Sequence, residues 1–202
     1  MLAGLTVGAI RLRLIIDLFI ALIVATVLGF STAWLAVERT PLFGAVRAGG
    51  WTAWPQAGGP DADPYSLARL ARTGEVPLGA GEGLAFTAET DSDGDPLTGS
   101  CIYEVAGQTP PARLWTLTAY DHGGRLIDNP ARRTGFHSRQ ILRREDGSFA
   151  IAVAAEVQPG NWLPVAPTER FELVLRLYDT PLTSGARPPD LTMPVIRRTD
   201  CP

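Results

Sequence analysis

Two cysteines are the residues of this chain best suited to covalent chemistry. Cys101 and Cys201 are the only cysteines among 202 residues. A nucleophilic thiolate needs a neighbouring base, and neither cysteine has a histidine near it in the sequence. An even cysteine count in an oxidising compartment favours a structural disulfide. The sequence therefore predicts a bridge between them, with two inert buried thiols or a catalytic cysteine as the alternatives.

Three aspartates at alternate positions imitate the start of a calcium-binding loop. Asp91, Asp93 and Asp95 lie in the motif DSDGD, but an EF-hand loop also requires a glutamate about eleven residues after its first ligand, where this chain has Ile102. Acidic segments with glycine also form tight turns, because both residue types tolerate the backbone angles of turns. We therefore expect a turn, with a loose calcium site as the alternative, and predict no resident metal or cofactor.

The histidines and basic residues lack the spacing of a catalytic or metal site. His122 and His137 lie in separate predicted loops, so no HxH or HxxxH pair holds both on one element. No GxSxG motif is present. All 18 basic residues are arginine, which excludes Schiff-base and P-loop lysines. A net charge of −3 argues against nucleic acid as a partner.

The first element that must position these residues is an apolar segment. Residues 14–37 contain one charge and, as a helix, span about 36 Å, enough for the hydrocarbon core of a bilayer. The segment is longer than the apolar region of a cleavable signal peptide, which predicts a retained signal anchor. Arg11 and Arg13 precede it, whereas only Glu38 and Arg39 flank its far side. The positive-inside rule therefore predicts a cytoplasmic N-terminus at the bacterial inner membrane.

The domain organisation follows from this orientation. The predicted parts are a cytoplasmic N-terminus (1–13), a transmembrane anchor (14–37), a linker rich in Gly, Pro and Ala (38–61) and a periplasmic domain (62–202). Trp51 and Trp54 lie in the linker, which we expect to become ordered where their rings meet an apolar surface.

One side of the predicted span carries small residues. At four-residue spacing, one ridge of the helix holds Asp17, Ala21, Ala25, Gly29 and Ala33. Small side chains let a second helix approach closely, and the aspartate can accept a hydrogen bond from a partner. This ridge favours association with a membrane-protein partner or a second copy. The alternative for Asp17 is a carboxylate at the membrane rim that reaches interfacial water.

The pattern beyond the linker is that of a short helix followed by short strands. Asp63 as N-cap, Pro64 at the first position and Gly74 at the end define the helix, whose buried side is predicted to carry Leu67, Leu70 and Ala71. Alternating segments predict strands at 84–89, 97–106, 113–121, 140–144, 148–156, 171–179 and 191–197. Turn signals separate them, which predicts a mainly β fold, an antiparallel β-sandwich.

Seven ordered blocks resemble a known family. They read PYSLARLARTGEVPL, DSDGDPLTG followed by CIYEV, PPARLWTLTAYD, DNPARR, EDGSFAIAV, NWLP and FELVLRLYD, with PPDL near the end. The chain resembles the domain of unknown function 1214, often C-terminal to the domain of unknown function 1254, here in a short membrane-anchored form. The resemblance covers about 62–195 and implies a jelly-roll-like β-sandwich, but it supplies no reaction.

Polar residues within the resembling blocks are the candidates for ligand binding. A tryptophan platform beside arginine and asparagine suits a sugar or an anionic group, and the set is Arg133, Asn161, Trp162, Arg176 and Tyr178. The alternative is structural: asparagine side chains hold turns, arginine bridges strands, and tryptophan fills the core.

These features favour a membrane-anchored envelope protein that binds a partner protein, a glycan or a lipid component through its β-domain. One alternative is a hydrolase of envelope material that uses carboxylates such as Asp121 and Asp146, although nothing in the sequence fixes two carboxylates at a catalytic separation. A structural subunit held through the helix ridge is the other alternative. We expect no enzymatic activity.

Overall fold

The computed structural model describes residues 2–38, 44–60, 62–79, 81–167, 170–184 and 191–201. Arg39, used above to orient the span, and residues 188–190 of the PPDL block lie outside the described residues. The helices are α1 (Leu2–Glu38) and α2 (Pro64–Thr73), with a 3-10 turn at Pro181–Ser184. The strands are β1 (Val46–Ala48), β2 (Trp51–Ala53), β3 (Gly83–Ala88), β4 (Ile102–Gly107), β5 (Leu114–Asp121), β6 (Gly135–His137), β7 (Phe149–Ala154), β8 (Asn161–Pro164), β9 (Phe171–Tyr178) and β10 (Val195–Asp200).

Helix α1 is long and apolar enough to cross a membrane. Its segment Leu12–Ala36 has 25 residues, a mean hydropathy of 2.5 and no buried part. At about 1.5 Å per residue this segment exceeds the ~30 Å hydrocarbon core of a bilayer. The helix is continuous through the predicted ridge from Asp17 to Ala33, and every ridge residue is exposed. Association through this ridge remains a prediction.

The ten strands of the described residues form two sheets. The six-stranded sheet has the order β1-β2-β3-β9-β5-β6, and all its pairings are antiparallel. The four-stranded sheet has the order β10-β4-β7-β8. Here the structure differs from the purely antiparallel prediction, because β8 pairs parallel to β7, with Ile151 opposite Asn161. The mainly β, two-sheet fold is otherwise confirmed.

One apolar core lies between the two sheets. Leu173, Leu175 and Leu177 of β9 are buried in it, as their alternation predicts. Aromatic contacts join the sheets: the ring centroids of Trp115 and Phe149 are 4.9 Å apart. Because β5 and β7 belong to different sheets, this contact shows that the sheets pack face to face.

Helix α2 has the predicted ends but not the predicted burial. The Asp63 carboxylate accepts hydrogen bonds from the N–H groups of Tyr65 and Ser66, and Gly74 ends the helix with φ of 69°. That left-handed conformation suits glycine because it lacks a Cβ. The predicted buried side is wrong, since Leu67 is 52% exposed, Ala71 is exposed and Leu70 is only half-buried. No part of the described β-domain covers this side of the helix.

The predicted linker contains two strands of the domain. β1 and β2 form a hairpin that extends the six-stranded sheet through β3. Trp51 is buried, and its indole N–H donates to the carbonyl of Pro194 at 2.7 Å. The folded domain therefore includes Val46 onward, rather than starting at residue 62. The expectation that the tryptophans order this segment holds for Trp51.

Two predicted strands differ from the structure. Segment 140–144 is a loop with a single bridge from Arg143 to Phe149 rather than a strand. The strand predicted at 97–106 begins only at Ile102, because a turn closes just before it with the Cys101 N–H bonded to the Thr98 carbonyl.

Candidate functional site

The outer face of the six-stranded sheet carries the exposed polar residues of its central strands. Successive side chains of a strand point to opposite faces. On β9 the leucines point into the core, so Arg176 and Tyr178 point outward and are half-buried. On β5 the same rule places Leu114 and Thr116 on the outer face, because Trp115 and Leu117 are buried.

The pairing register brings these outward residues together. Thr116 lies opposite Arg176 of β9 on one side and opposite His137 of β6 on the other. Leu114 lies opposite Tyr178 in the next outward row. Directly opposed side chains on one face have Cβ atoms about 4.5–5.5 Å apart, so these five residues form one continuous surface.

A groove of about 540 Å³ opens on this surface. Its lining residues are Arg113, Leu114, Thr116, His137, Arg139 and Tyr178. The lining surface is almost entirely apolar, and the two arginines bring positive charge beside it. The volume lies within the range of about 300–1,000 Å³ that is typical of ligand sites. The groove can therefore hold a small ligand with an apolar side and an anionic group.

Positive charge predominates around the groove. Arg113 pairs with Asp179 at 3.1 Å, and both side chains are more than two-thirds exposed. Such an exposed pair is weak, so the guanidinium can exchange its partner for a ligand anion at little cost. Arg176 packs over the Tyr120 ring, 5.4 Å from its centroid, and has no carboxylate partner within the described part of the chain. The same holds for the exposed Arg139.

His137 has a defined hydrogen bond in the groove. Its Nδ1 accepts the backbone N–H of Arg139 at 3.2 Å. With Nδ1 as the acceptor, the neutral imidazole carries its proton on Nε2 and offers a donor on the other side of the ring. This residue lies in a strand, β6, and is half-buried, so the predicted exposed loop position is wrong for His137. The predicted loop position is correct for His122, which lies exposed in a turn.

Comparison with known proteins identifies the family. The family model described as "Protein of unknown function (DUF1214)" matches residues 82–182, which is half of the chain. The chain belongs to the DUF1214 family. The match contains the strands β3 to β9, and hence the whole groove-lining set.

A solved structure shares the fold of this chain. The VPA0106 protein from Vibrio parahaemolyticus is 23% identical, with a TM-score of 0.56 over 69% of this chain and 36% of that one. A putative uncharacterised protein from Burkholderia cenocepacia is 20% identical, with a TM-score of 0.42 over 71% of this chain and 45% of that one. This chain therefore spans about a third of the Vibrio protein. A search of curated proteins found no match to this chain.

The structure divides the five predicted ligand residues between the two sheets of the DUF1214 domain. Arg176 and Tyr178 lie together on the outer face of the six-stranded sheet, the tyrosine within the groove. Asn161 is buried on β8 of the other sheet. Its amide exchanges hydrogen bonds with the Leu142 N–H and carbonyl at 2.8 and 2.9 Å and donates to the Ala150 carbonyl at 2.9 Å. This side chain holds the loop before β7 against β8.

Arg133 and Trp162 form a second pair at the β8 edge. The Arg133 guanidinium donates to the Trp162 carbonyl at 3.0 Å and lies over the Phe136 ring. The Trp162 indole N–H donates to the Ala154 carbonyl at 3.0 Å. The Trp162 indole N–H and one donor of Arg133 are therefore bound to protein carbonyls, whereas Arg176 lies over the Tyr120 ring and Tyr178 lines the groove.

The sequence prediction missed most of the groove. The sequence does not single out Leu114, Thr116 or His137 as ligand residues, although the strand predicted at 113–121 is confirmed. The sequence signal for these residues is the alternation in 113–121, which places Leu114 and Thr116 on the same outward face of the strand. What the sequence did not show was β6, a strand of three residues whose pairing to β5 places His137 in the same row.

Cys101 and Cys201 form the predicted disulfide, across a separation of 100 residues. The bridge joins the residue before β4 to the residue after β10, and these two strands are neighbours in the four-stranded sheet. The cysteines are therefore structural, because both thiols are consumed in tying down the C-terminus.

The DSDGD segment forms the expected turn. Asp91 is 2% exposed, and its Oδ1 accepts the N–H groups of Asp93 and Asp95 at 3.1 and 2.9 Å. Its Oδ2 accepts from the Arg198 guanidinium at 3.0 Å, and the same guanidinium lies 3.1 Å from Asp95. A guanidinium therefore already occupies the place that a calcium ion would need. No group of three or more ligating side chains occurs among the described residues.

The two carboxylates considered for hydrolysis accept backbone N–H groups of the turns that follow them. Asp121 accepts the backbone N–H of Arg125 at 2.9 Å, and this bond lowers the pKa of the carboxyl more than any other contact. The Ser148 hydroxyl donates to Asp146 at 2.6 Å and likewise lowers the pKa of that carboxyl. A lowered pKa favours the ionised form, which is the opposite of what a general acid requires at neutral pH.

Proposed function

We propose that this protein is a membrane-anchored binding module that presents its DUF1214 domain in the periplasm. Two independent observations support this arrangement. The exposed apolar segment Leu12–Ala36 has the length of a membrane span, and Arg11 and Arg13 at its N-terminal end favour a cytoplasmic N-terminus. The Cys101–Cys201 disulfide suits an oxidising compartment, where such bonds persist.

The groove on the six-stranded sheet is the proposed binding site, and it is the observation that carries the function. The chain as a whole has a net charge of −3, yet Arg113, Arg139 and Arg176 lie on or beside this groove, where Asp179 pairs with Arg113 and Glu172 lies further along β9 on the same face. Local charge of the opposite sign to the whole molecule favours an anionic ligand. Tyr178 adds a ring on which a flat apolar surface can stack.

These features select an anionic saccharide of the envelope as the ligand class. A sugar ring presents C–H groups to an aromatic face, and its carboxylates accept paired hydrogen bonds from guanidinium groups. The Thr116 hydroxyl and the Nε2–H of His137 add polar groups in the same rows of the sheet. The six groove-lining residues come from three adjacent strands and from positions close to the ends of two of them, so the scaffold holds them in place.

Binding of defined oligosaccharides by the purified full-length protein tests the site. The probes are trigalacturonic acid, which is anionic, and maltotriose, which is neutral, with affinity measured by titration calorimetry. We expect binding of the acid only, weakened at least about tenfold when both Arg113 and Arg139 are replaced by alanine. Arg197→Ala is the matched control, because this arginine is exposed on β10 of the other sheet. Equal binding of both probes, or equal losses in both variants, would refute the site.

A reporter fused after Pro202 tests the location separately. Alkaline phosphatase is active only in an oxidising compartment, so activity of the fusion supports the proposed topology, and inactivity contradicts it. The mass of the purified protein distinguishes an anchor from a signal sequence. Retention of residues 1–38 supports the anchor, whereas their removal contradicts it.

A further inference from the structure

Helix α2 exposes apolar side chains that no described part of the β-domain covers. Leu67 is 52% exposed, and Ala71, one turn later on the same side of the helix, is exposed too. Val76, two residues after the glycine that ends the helix, is 90% exposed. Only Ser66 is buried among the side chains of this helix that the structure describes. Uncovered apolar groups so close together mark a surface that meets something other than water.

Helix α2 also touches the end of the apolar helix α1. The Arg72 guanidinium lies over the Trp34 ring, 4.3 Å from its centroid. Trp34 is three residues from Val37, the last apolar residue before Glu38 and Arg39. Three residues of helix correspond to about 4.5 Å, so a bilayer around α1 has its boundary close to the height of this tryptophan. Tryptophan is enriched at that boundary, where an indole ring meets both lipid and water.

The exposed side chains of α2 and its contact with Trp34 together point to the lipid bilayer as the surface that covers this helix. A bilayer that surrounds α1 reaches Trp34, and Arg72 is in contact with Trp34, so α2 must lie beside the headgroups of that bilayer. The exposed leucine, alanine and valine are then at the depth where short amphipathic helices bury apolar side chains. The Arg72 side chain is long enough to reach lipid phosphates while its stem packs on the indole.

We propose that α2 and Val76 form an interfacial segment that rests on the phospholipid bilayer in which α1 is embedded. This inference depends on the membrane anchoring proposed above but not on the groove or its ligand. The contact gives the β-domain a defined orientation on the membrane, because one helix crosses the bilayer and the other lies along its surface. A domain on a free tether has no such orientation.

Photo-crosslinking of the full-length protein in lipid nanodiscs tests the contact. p-Benzoylphenylalanine is placed at one of three exposed positions: Leu67 on α2, Val24 within the span, or Val157 in the β-domain. The nanodiscs contain phosphatidylethanolamine and phosphatidylglycerol, and lipid adducts are detected by mass spectrometry. We expect adducts at Leu67 and Val24 and none at Val157.

The control positions separate the possible failures. Adducts at Val24 without adducts at Leu67 overturn the interfacial segment and leave the anchor intact. An absence of adducts at Val24 overturns the anchor and, with it, this inference. A crosslink from Leu67 to a second protein copy, in place of lipid, shows that a protein interface covers α2 and also overturns the proposal.

Hydrogen exchange gives a second readout that does not need crosslinking. In nanodiscs, a Leu67→Ser, Val76→Ser variant should exchange the α2 amides about tenfold faster than the unmodified protein, because lipid no longer holds the apolar side chains. Val157→Ser is the control and should leave α2 exchange unchanged. Equal α2 exchange in the unmodified protein and the double variant contradicts the contact.

Discussion

Replacing Asp91 by alanine removes the charge around which the C-terminal strand is held. The carboxylate is 2% exposed, accepts two backbone N–H groups within its own turn and pairs with Arg198 of β10. Without it, two N–H donors lose their acceptor, and Arg198 retains only Asp95, whose side chain is 65% exposed. The turn before β4 and the strand β10 both lose their common support.

The contacts of Asp91 determine how far the free energy of unfolding falls when its carboxylate is removed. Breaking a buried ion pair by removing one partner costs about 3–5 kcal/mol, because the remaining charge stays poorly solvated. Arg198 is 31% exposed, so water compensates for part of that cost. The lost backbone bonds to a charged acceptor add about 1.5–3 kcal/mol each before relaxation, and the contributions are not additive. We expect Asp91→Ala to lower the free energy of unfolding by about 3–5 kcal/mol.

The same turn offers two matched controls. Asp93 is exposed, and its carboxylate makes no contact with Arg198, so Asp93→Ala should change the free energy of unfolding by less than about 0.5 kcal/mol. Asp95 makes an exposed pair with Arg198, and Asp95→Ala should cost at most about 1 kcal/mol. The expected order of destabilisation is therefore Asp91 first, Asp95 second and Asp93 last.

Urea unfolding of the full-length protein in detergent micelles measures all three variants. Tryptophan fluorescence follows the β-domain, because Trp51 and Trp115 are buried in its core. The urea midpoint should fall most for Asp91→Ala, at an unchanged denaturant dependence. If Asp91→Ala unfolds within about 1 kcal/mol of Asp93→Ala, burial of the carboxylate does not stabilise this turn, and the reasoning is wrong.

Two further predictions concern the ends of the domain. The Ser66 hydroxyl and N–H bind the Asp63 carboxylate and lower its pKa below the ordinary 3.8, so the cap stabilises α2 above that pH and is lost as pH falls through the lowered pKa. The helical signal of α2 amides, followed by NMR from pH 6 to pH 2, should therefore decline only below about pH 4, and Asp63→Ala should show the low-pH signal throughout. A Cys101→Ser, Cys201→Ser variant should lose about 2–5 kcal/mol of stability in urea, and reductant should lower the midpoint of the unmodified protein but not that of the variant.

The sequence predicts correctly those helices and strands whose pattern arises within their own segment. The cap residues of α2 act within one turn of the helix, so Asp63 and Gly74 located both ends correctly. The long alternation in β5 and β9 likewise reports a face that is buried along the whole strand. In both cases the physical cause lies within the segment itself, and the sequence of that segment is sufficient.

The missed elements depend on partners far away in the chain. β1, β6 and β8 have three or four residues each, too few for a clear alternation, and each is an edge strand that exists because a neighbour pairs with it. The loop 140–144 has an alternating sequence, yet the Asn161 amide occupies the Leu142 backbone groups that a strand would use. The groove was missed for the same reason, since its residues meet only through the β5–β6 and β5–β9 registers.

The strand order also places the groove relative to the membrane anchor. The chain enters the domain at β1, one edge of the six-stranded sheet, and the groove is lined by β5, β6 and β9 toward the opposite edge. β5 is four strand spacings from β1, which at about 4.8 Å each is roughly 19 Å across the sheet. Helix α2, in contact with α1, follows β2 on the anchor side of the chain. The groove therefore lies away from the edge at which the chain enters the domain, which fits the proposed module that binds a partner in the periplasm better than one that extracts it from the bilayer.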